Sequence, residues 1–287
     1  MKMKEVEINV DLNHREKLRR LHTATHIVNY SARKVLGNHV WQNGSNLKAE
    51  FGTLDITHYD NLSEKEIYEI EKIANETIFE NKKVQVEELD RGDAEKKYGF
   101  VLYQGGAIPM KKLRIIHVFD SDIEACGGIH MQYTGGIGIV KIIDATKIQD
   151  GVIRLKYVVR DYALDFISDR QAILNEACSV FTVSPTQLPK TCEKFFNEWK
   201  EQKKDIEKLK NQLKTSYIEQ IISSRKKSFL ISGDWDMGFL LDIFNSVVNE
   251  IPSFKLESEK FIFATNDLKV EKFKKQIPKG KFNIYVM

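Results

Sequence analysis

The segment NHREKLRRLHTATHIVNYSARKVL, residues 13–36, decides how this chain is read. No Gly or Pro interrupts it before Gly37, a stop signal, so it predicts a helix from about Asn13 to Leu36. His22 and His26 are four residues apart, and side chains at that spacing stand one above the other on a helix face. Leu18, Leu21, Val28, Ala32 and Val35 supply an apolar face, and Asn13 can act as N-cap. The helix thus offers an imidazole pair as well as a surface for a core.

A second stretch, Cys126-Gly-Gly-Ile-His130, sets a thiolate and an imidazole across a Gly-Gly turn that lets the backbone fold tightly. The two stretches together make one Cys and three His, a donor set suited to tetrahedral zinc. Taken singly, each has a plainer reading. A lone helical histidine is as a rule a surface or satisfied core residue, and a lone cytosolic cysteine is a small buried hydrophobe. A single HxxxH is weak evidence; the pairing with CxxxH strengthens it.

At 287 residues the chain has room for two or three domains, and 42% apolar with 30% charged residues describes an ordinary globular protein. Three cysteines give no disulfide framework and fit a reducing compartment. The opening MKMKEVEINVDLNHREK has no apolar core and no later run reaches transmembrane length, so a cytoplasmic protein is expected. No P-loop or Rossmann fingerprint is visible. Net charge is only +3, but it is unevenly spread. Residues 190–227 hold ten Lys and one Arg against five Glu and one Asp, and residues 254–287 hold eight Lys against three Glu and one Asp. That concentration fits phosphate contact in the C-terminal third, although any single lysine reads equally well as a solvated helix face.

Along the chain, Glu5–Val10 alternates as a short strand, and Val40–Ser45 with Leu47–Thr57 reads as a hairpin turning at Asn43-Gly44. Ser63-Glu-Lys-Glu66 is a capping box opening a helix with a stripe of Ile67, Ile70, Ile73, Ala74 and Ile78. Lys83–Leu89 reads as a strand, Arg91–Gly99 as a short helix, and Gly105, Gly106 and Pro109 mark a loop. Leu113–Phe119, Gly138–Ile143 and Val152–Arg160 are strands. Helices follow from Tyr162 to Phe181 and from Thr191 to Arg225, separated by breaks at Ser184-Pro185 and Leu188-Pro189. The second helix carries a partial heptad seam of Trp199, Ile206, Leu209, Leu213, Tyr217 and Ile221, which a helical hairpin or a second chain would bury. Met237–Ile251 reads as a helix, with strands at Lys260–Thr265 and Phe282–Met287. The expected fold is α+β: a zinc-binding sheet-and-helix domain over residues 1–162, a helical segment over 163–227, and a small α+β domain over 228–287.

Residues 17–47, KLRRLHTATHIVNYSARKVLGNHVWQNGSNL, resemble the start of the editing core of alanyl-tRNA synthetases. YQGGAIP (103–109), DIEACGGIH (122–130), TGGIGIVKII (134–143) and GVIRLKYV (151–158) continue the resemblance in order, in wording nearest the archaeal type. The resemblance covers most of residues 10–165 and extends to the free-standing AlaX editing proteins. It implies zinc ligation by His22, His26, Cys126 and His130. It also implies pocket roles for Gln42 and Ser45, while Arg154 matches the family and can meet the acceptor stem or form a structural ion pair. Thr25 beside His26 is a second catalytic candidate with Gln42, and Asp55 and His58 at a strand end can contact water or substrate. An ordinary turn or strand-end polar role is open for each. Ile129 departs from the family, which usually carries Thr there.

The implied function is hydrolysis of mischarged Ser- or Gly-tRNA(Ala) by the editing half of an alanine–tRNA ligase, with tRNA(Ala) as partner. No resemblance to the ATP-using aminoacylation module is present. The family's Gly-rich barrel segment would precede this chain, so a separate N-terminal synthetase chain is an expected partner, as is a second copy through residues 163–227. The glycine-rich run of the family's C-terminal domain is missing. A free-standing AlaX-like deacylase and a non-catalytic tRNA-binding module with structural zinc are the alternatives. Two mechanisms stay open: zinc can act on water or the ester carbonyl, or it can shape the pocket while other groups handle water.

Overall fold

The computed structural model describes residues 9–106, 109–118, 122–270 and 275–286. It is a mixed α+β structure whose chain divides into two compact units, Met1–Glu176 and Ala177–Met287. Among the described residues no helix is long and apolar enough to cross a membrane.

The first unit opens with α1 (Leu12–Leu36). Its N-cap is Asp11, whose carboxylate accepts from the His14 N–H at 3.0 Å, and not Asn13, which lies inside the helix. A residue caps from outside, where extended backbone aims its side chain at the free N–H groups. The chain stops at Gly37 with φ 113°, a conformation that side chains resist. Next come β1 (Gln42–Leu47) and β2 (Gly52–Thr57), an antiparallel hairpin. Its turn lies at residues 48–51, closed by Lys48 N–H to Phe51 O at 2.9 Å, so Asn43-Gly44 is not the turn. That dipeptide forms a β-bulge, with the register shifting between Gln42 and Gly44.

Helix α2 (Glu64–Phe79) starts at the expected capping box of Ser63 and Glu66 and buries Ile70, Ala74 and Ile78. Strand β3 (Gln85–Asp90), helix α3 (Arg91–Tyr98), and strands β4 (Lys112–His117) and β5 (Ile123–Ala125) follow. Then come β6 (Val140–Gln149), β7 (Val152–Val159) and α4 (Asp161–Phe181). Two sheets result, in the orders β1-β2-β7-β6 and β3-β4-β5. The first carries α1 and α2 on one face, over a core of Leu21, Val28, Leu54, Ile56, Ile70, Leu155 and Tyr157. Strand β4 is buried on both faces: Leu113 and Ile115 pack toward α3, and Ile116 toward the main core. The expected strand Glu5–Val10 lies almost wholly outside the described residues, as do Phe119 and Met287 at the ends of two others.

In the second unit α5 (Leu188–Ser224) is 37 residues long, with Pro189 in its first turn. Leu188-Pro189 is therefore a start and not a break, since proline's missing N–H costs nothing there. Strand β8 (Ser228–Leu230), helix α6 (Met237–Glu250), and strands β9 (Lys255–Glu257), β10 (Phe261–Thr265), β11 (Lys275–Lys279) and β12 (Phe282–Val286) complete the chain. Their sheet runs β11-β12-β10-β9-β8, with β8 and β9 parallel. Phe239, Ile243, Phe244 and Val247 of α6 pack on Phe254, Leu256, Phe263 and Ile284, joined by Ile221 from α5. The heptad seam is buried at that end alone: Trp199, Ile206, Leu209 and Leu213 are exposed.

Candidate metal centre

Helix α1 presents His22 and His26 on one face, and the turn after β5 brings Cys126 and His130 to meet them. One donor atom from each of the four lies within 4.8 Å of every other. Cys126 Sγ is 3.5 Å from His22 Nε2 and 3.4 Å from His130 Nε2. Zinc–sulfur and zinc–nitrogen bonds of about 2.3 and 2.1 Å set at a tetrahedral angle give an edge of roughly 3.5 Å. The spacing and chemistry of the donors therefore fit a four-coordinate zinc ion.

The turn is held in shape by its neighbours. The Arg114 guanidinium donates to Cys126 O and Gly128 O, both at 2.8 Å, and Gly128 N–H points at Cys126 Sγ at 3.4 Å. Gly128 must be glycine, because a Cβ there would lie 1.9 Å from His22 Cε1; one at Gly127 would meet nothing within 4 Å.

Two of the three rings, His26 and His130, are oriented from behind. His26 Nδ1 lies 3.2 Å from Asp122 Oδ2 and 3.3 Å from Glu124 Oε2, which leaves Nε2 to face the other donors. His130 Nδ1 lies 3.4 Å from Thr23 Oγ1, which donates to Arg19 O and accepts from Met131 N–H. When a metal takes Nε2, the Thr23 oxygen, its own proton already used, would accept from His130 Nδ1–H. Burial would raise the Cys126 thiol, but hydrogen bonds from His130, His22 and His26 outweigh it and hold its pKa down to about 3. Burial, helped by the charges of His26 and His22, pulls His130 down to about 4. Burial and then the Asp122 charge push Glu124 up to about 8. Burial opposes an imidazolium at His26, yet Glu124 and Asp122 raise its pKa well above the ordinary value. The thiolate is thus ready for a cation before one arrives.

The other sequence candidates separate by face. The bulge at Asn43-Gly44 puts Gln42 and Ser45 on the same side of β1, where an unbulged strand would put residues three apart on opposite sides. Gln42 Nε2 lies 3.5 Å from Ser45 Oγ, and both residues pair opposite the buried Ile56 and Leu54. Asp55 and Arg154 are opposite partners on the other face, joined by two bonds of 2.7 Å. This is the structural ion pair that the sequence leaves open for Arg154, and it uses both ends of the guanidinium fork. The Thr25 hydroxyl is buried between Leu21 O at 2.9 Å and the Tyr157 hydroxyl at 2.6 Å, tying α1 to β7. His58 is buried and lies 2.9 Å from His39, with burial and then His39 lowering its pKa.

Thr23, Asp122, Glu124 and Asn29 escaped the sequence reading. The signal for two of them was present, because Asp122, Glu124 and Cys126 alternate and so share one side of an extended strand. A cavity of about 340 Å³, lined by Glu88, Met110, Lys112, Arg114 and Cys126 among others, opens beside the thiolate.

Comparison with known proteins shows what the chain is similar to. Residues 113–156 match the family described as the threonyl and alanyl tRNA synthetase second additional domain. The chain is 45% identical over 209 residues to the alanine–tRNA ligase of Methanosphaera stadtmanae, which is 73% of this chain and 23% of that protein. It is 44% identical over 220 residues to that of Archaeoglobus fulgidus, covering 77% and 24% respectively. With that of Methanococcus vannielii the identity is 47% over 208 residues, 72% of this chain and 23% of the relative. The match thus spans about a quarter of the length of these relatives.

Proposed function

We propose, from the premise that this chain is related to the C-terminal half of archaeal-type alanyl-tRNA synthetases, that its first unit is a zinc-dependent deacylase. Its substrates are tRNA(Ala) molecules mischarged with serine or glycine. The observation that carries this is the convergence of His22, His26, Cys126 and His130, with one donor atom from each within 4.8 Å of every other. A zinc ion held there supplies a Lewis acid for an ester carbonyl or a water molecule. The chain's own residues do the rest. Thr23 holds the His130 ring, Asp122 and Glu124 hold the His26 ring, and the turn at Gly128 sets the thiolate. The Gln42 amide and Ser45 hydroxyl offer hydrogen bonds to a seryl hydroxyl, a group that a polar pocket can read and alanine lacks. An aminoacyl ester is activated already, so positioning with modest electrostatic help suffices.

Residues 1–162 are the editing core in this reading, 163–227 the helical segment for tRNA contact and self-association, and 228–287 an accessory domain. Acylation is left to an N-terminal synthetase chain in the same cytoplasm. A second reading, an assembly module with structural zinc, draws support from the donor count, since four protein ligands complete a tetrahedral shell.

Purified chain should release serine from Ser-tRNA(Ala) faster than alanine from Ala-tRNA(Ala), and faster still once the N-terminal chain is added. His22→Ala should abolish release together with zinc, whereas Gln42→Ala should keep zinc and change rate or selectivity. Serine release that stays at the spontaneous rate with the partner chain present overturns the deacylase and leaves the assembly module.

A further inference from the structure

The candidate ligand His26 belongs to a second, overlapping group. His26, Asp122 and Glu124 are all buried, and one ligand-type atom from each lies within 4.8 Å of the others. A metal on the Nε2 side leaves His26 Nδ1 as an N–H donor facing Asp122 Oδ2 and Glu124 Oε2, at 3.2 and 3.3 Å. The second group is therefore a support for the first and not a separate ion site.

The support continues inward. Glu124 Oε1 accepts from Asn29 Nδ2 at 3.1 Å, and the same amide nitrogen donates to Gln104 Oε1 at 3.2 Å. Gln104 Oε1 also faces the backbone N–H of Gln42, the first residue of β1, at 3.4 Å. His26, Asn29, Gln104, Asp122 and Glu124 are each no more than 6% exposed. The Asn29 amide nitrogen thus bridges Glu124 and Gln104, while its oxygen is buried without a partner. Buried and almost fully paired, such a chain of hydrogen bonds resists the loss of any one member.

We infer that Asp122 and Glu124 are positioning residues of the metal centre, and that Asn29 and Gln104 carry their hold on His26 to the strand bearing Gln42. The inference rests on the metal-binding reading above. It makes zinc loading and the position of the pocket wall one coupled state, with no shared ligand between them.

The test uses the full chain and zinc alone. Wild-type stoichiometry is measured first, and a chain that binds no zinc overturns both the metal centre and this inference. Affinity is then read by competition with a chromophoric chelator. Glu124→Ala should bind zinc about 10–100-fold more weakly, the loss typical when a ligand's supporting partner is removed. Glu124→Gln keeps an oxygen for the His26 N–H and should fall between that variant and wild type. In the wild type, zinc should slow amide hydrogen exchange across residues 42–47. Asn29→Ala should still bind one zinc but lose that slowing. If an alanine variant fails to fold, Asp122→Asn and Glu124→Gln decide, because both preserve volume. Zinc affinity within about twofold of wild type in all carboxylate variants sinks the inference while leaving the metal centre intact. Undiminished zinc-dependent slowing in Asn29→Ala also sinks it.

Discussion

A cysteine and three histidines in contact behave differently from four separate side chains. The Cys126 thiol would be raised by burial, but three imidazoles hold it down to about 3. A free thiol with a pKa of about 8.5 gains thiolate tenfold per pH unit below that value. Metal-free chain should therefore be alkylated at Cys126 by iodoacetamide at a rate nearly flat from about pH 5 to pH 8, where a free thiol accelerates steeply. Zinc should protect it, and a rate that climbs with pH as for a free thiol would show the imidazoles are not holding the thiolate. Thr25 makes the opposite case. Its hydroxyl is spent on Leu21 O and the Tyr157 hydroxyl, so Thr25→Val should cost about 1–3 kcal/mol of stability, the range for a broken buried hydrogen bond. Zinc content should be unchanged, and a fall in zinc would return Thr25 to the site.

Among the elements, the turn after β5 is the most demanding. Its two glycines look alike in sequence and differ in the fold: a Cβ at Gly128 would strike the His22 ring, and one at Gly127 would meet nothing within 4 Å. Gly128→Ala should weaken zinc binding by roughly tenfold or more through displacement of His22, whereas Gly127→Ala should bind zinc as the wild type does. Equal affinities measured by chelator competition would show that the turn yields. The sheet shows the same dependence on local geometry. The bulge in β1 aims Gln42 and Ser45 to one side, while the regular pairing of β2 and β7 aims Asp55 and Arg154 to the other.

Across the whole molecule, charge and exposed apolar surface both concentrate on α5. Trp199, Ile206, Leu209 and Leu213 are exposed, and Lys203 lies over the Trp199 ring at 5.4 Å. Lys200, Lys203, Lys204 and Lys208 lie along the same stretch. If this helix meets tRNA phosphates, replacing those four lysines by alanine should weaken tRNA binding. The slope of log K against log salt should flatten by about 0.7–0.9 for each phosphate that a lysine no longer neutralises. A tRNA affinity and salt slope equal to wild type would mark the lysines as a solvated face.

The sequence by itself determined the helix from about Asn13 to Leu36, the capping box at Ser63, the body of the long helix from about Thr191 and the spacing of the four donors. All of these follow from signals within a few residues: stop residues, caps, and the period of an α-helix. Only the tertiary structure decided what each side chain faces. Asn43-Gly44 carries a turn signal, yet cross-strand pairing makes it a bulge, because residues 48–51 close the hairpin instead. For Arg154 the sequence leaves both an acceptor-stem contact and an ion pair open, and the pairing of β2 with β7 sets Asp55 opposite it. Thr23 and Thr25 flank one alanine, and which one reaches His130 depends on the packing of α1 against β7 and the β5 turn. Glu124 meets His26 across a sequence separation of 98 residues, a contact that no local pattern encodes and that packing alone creates.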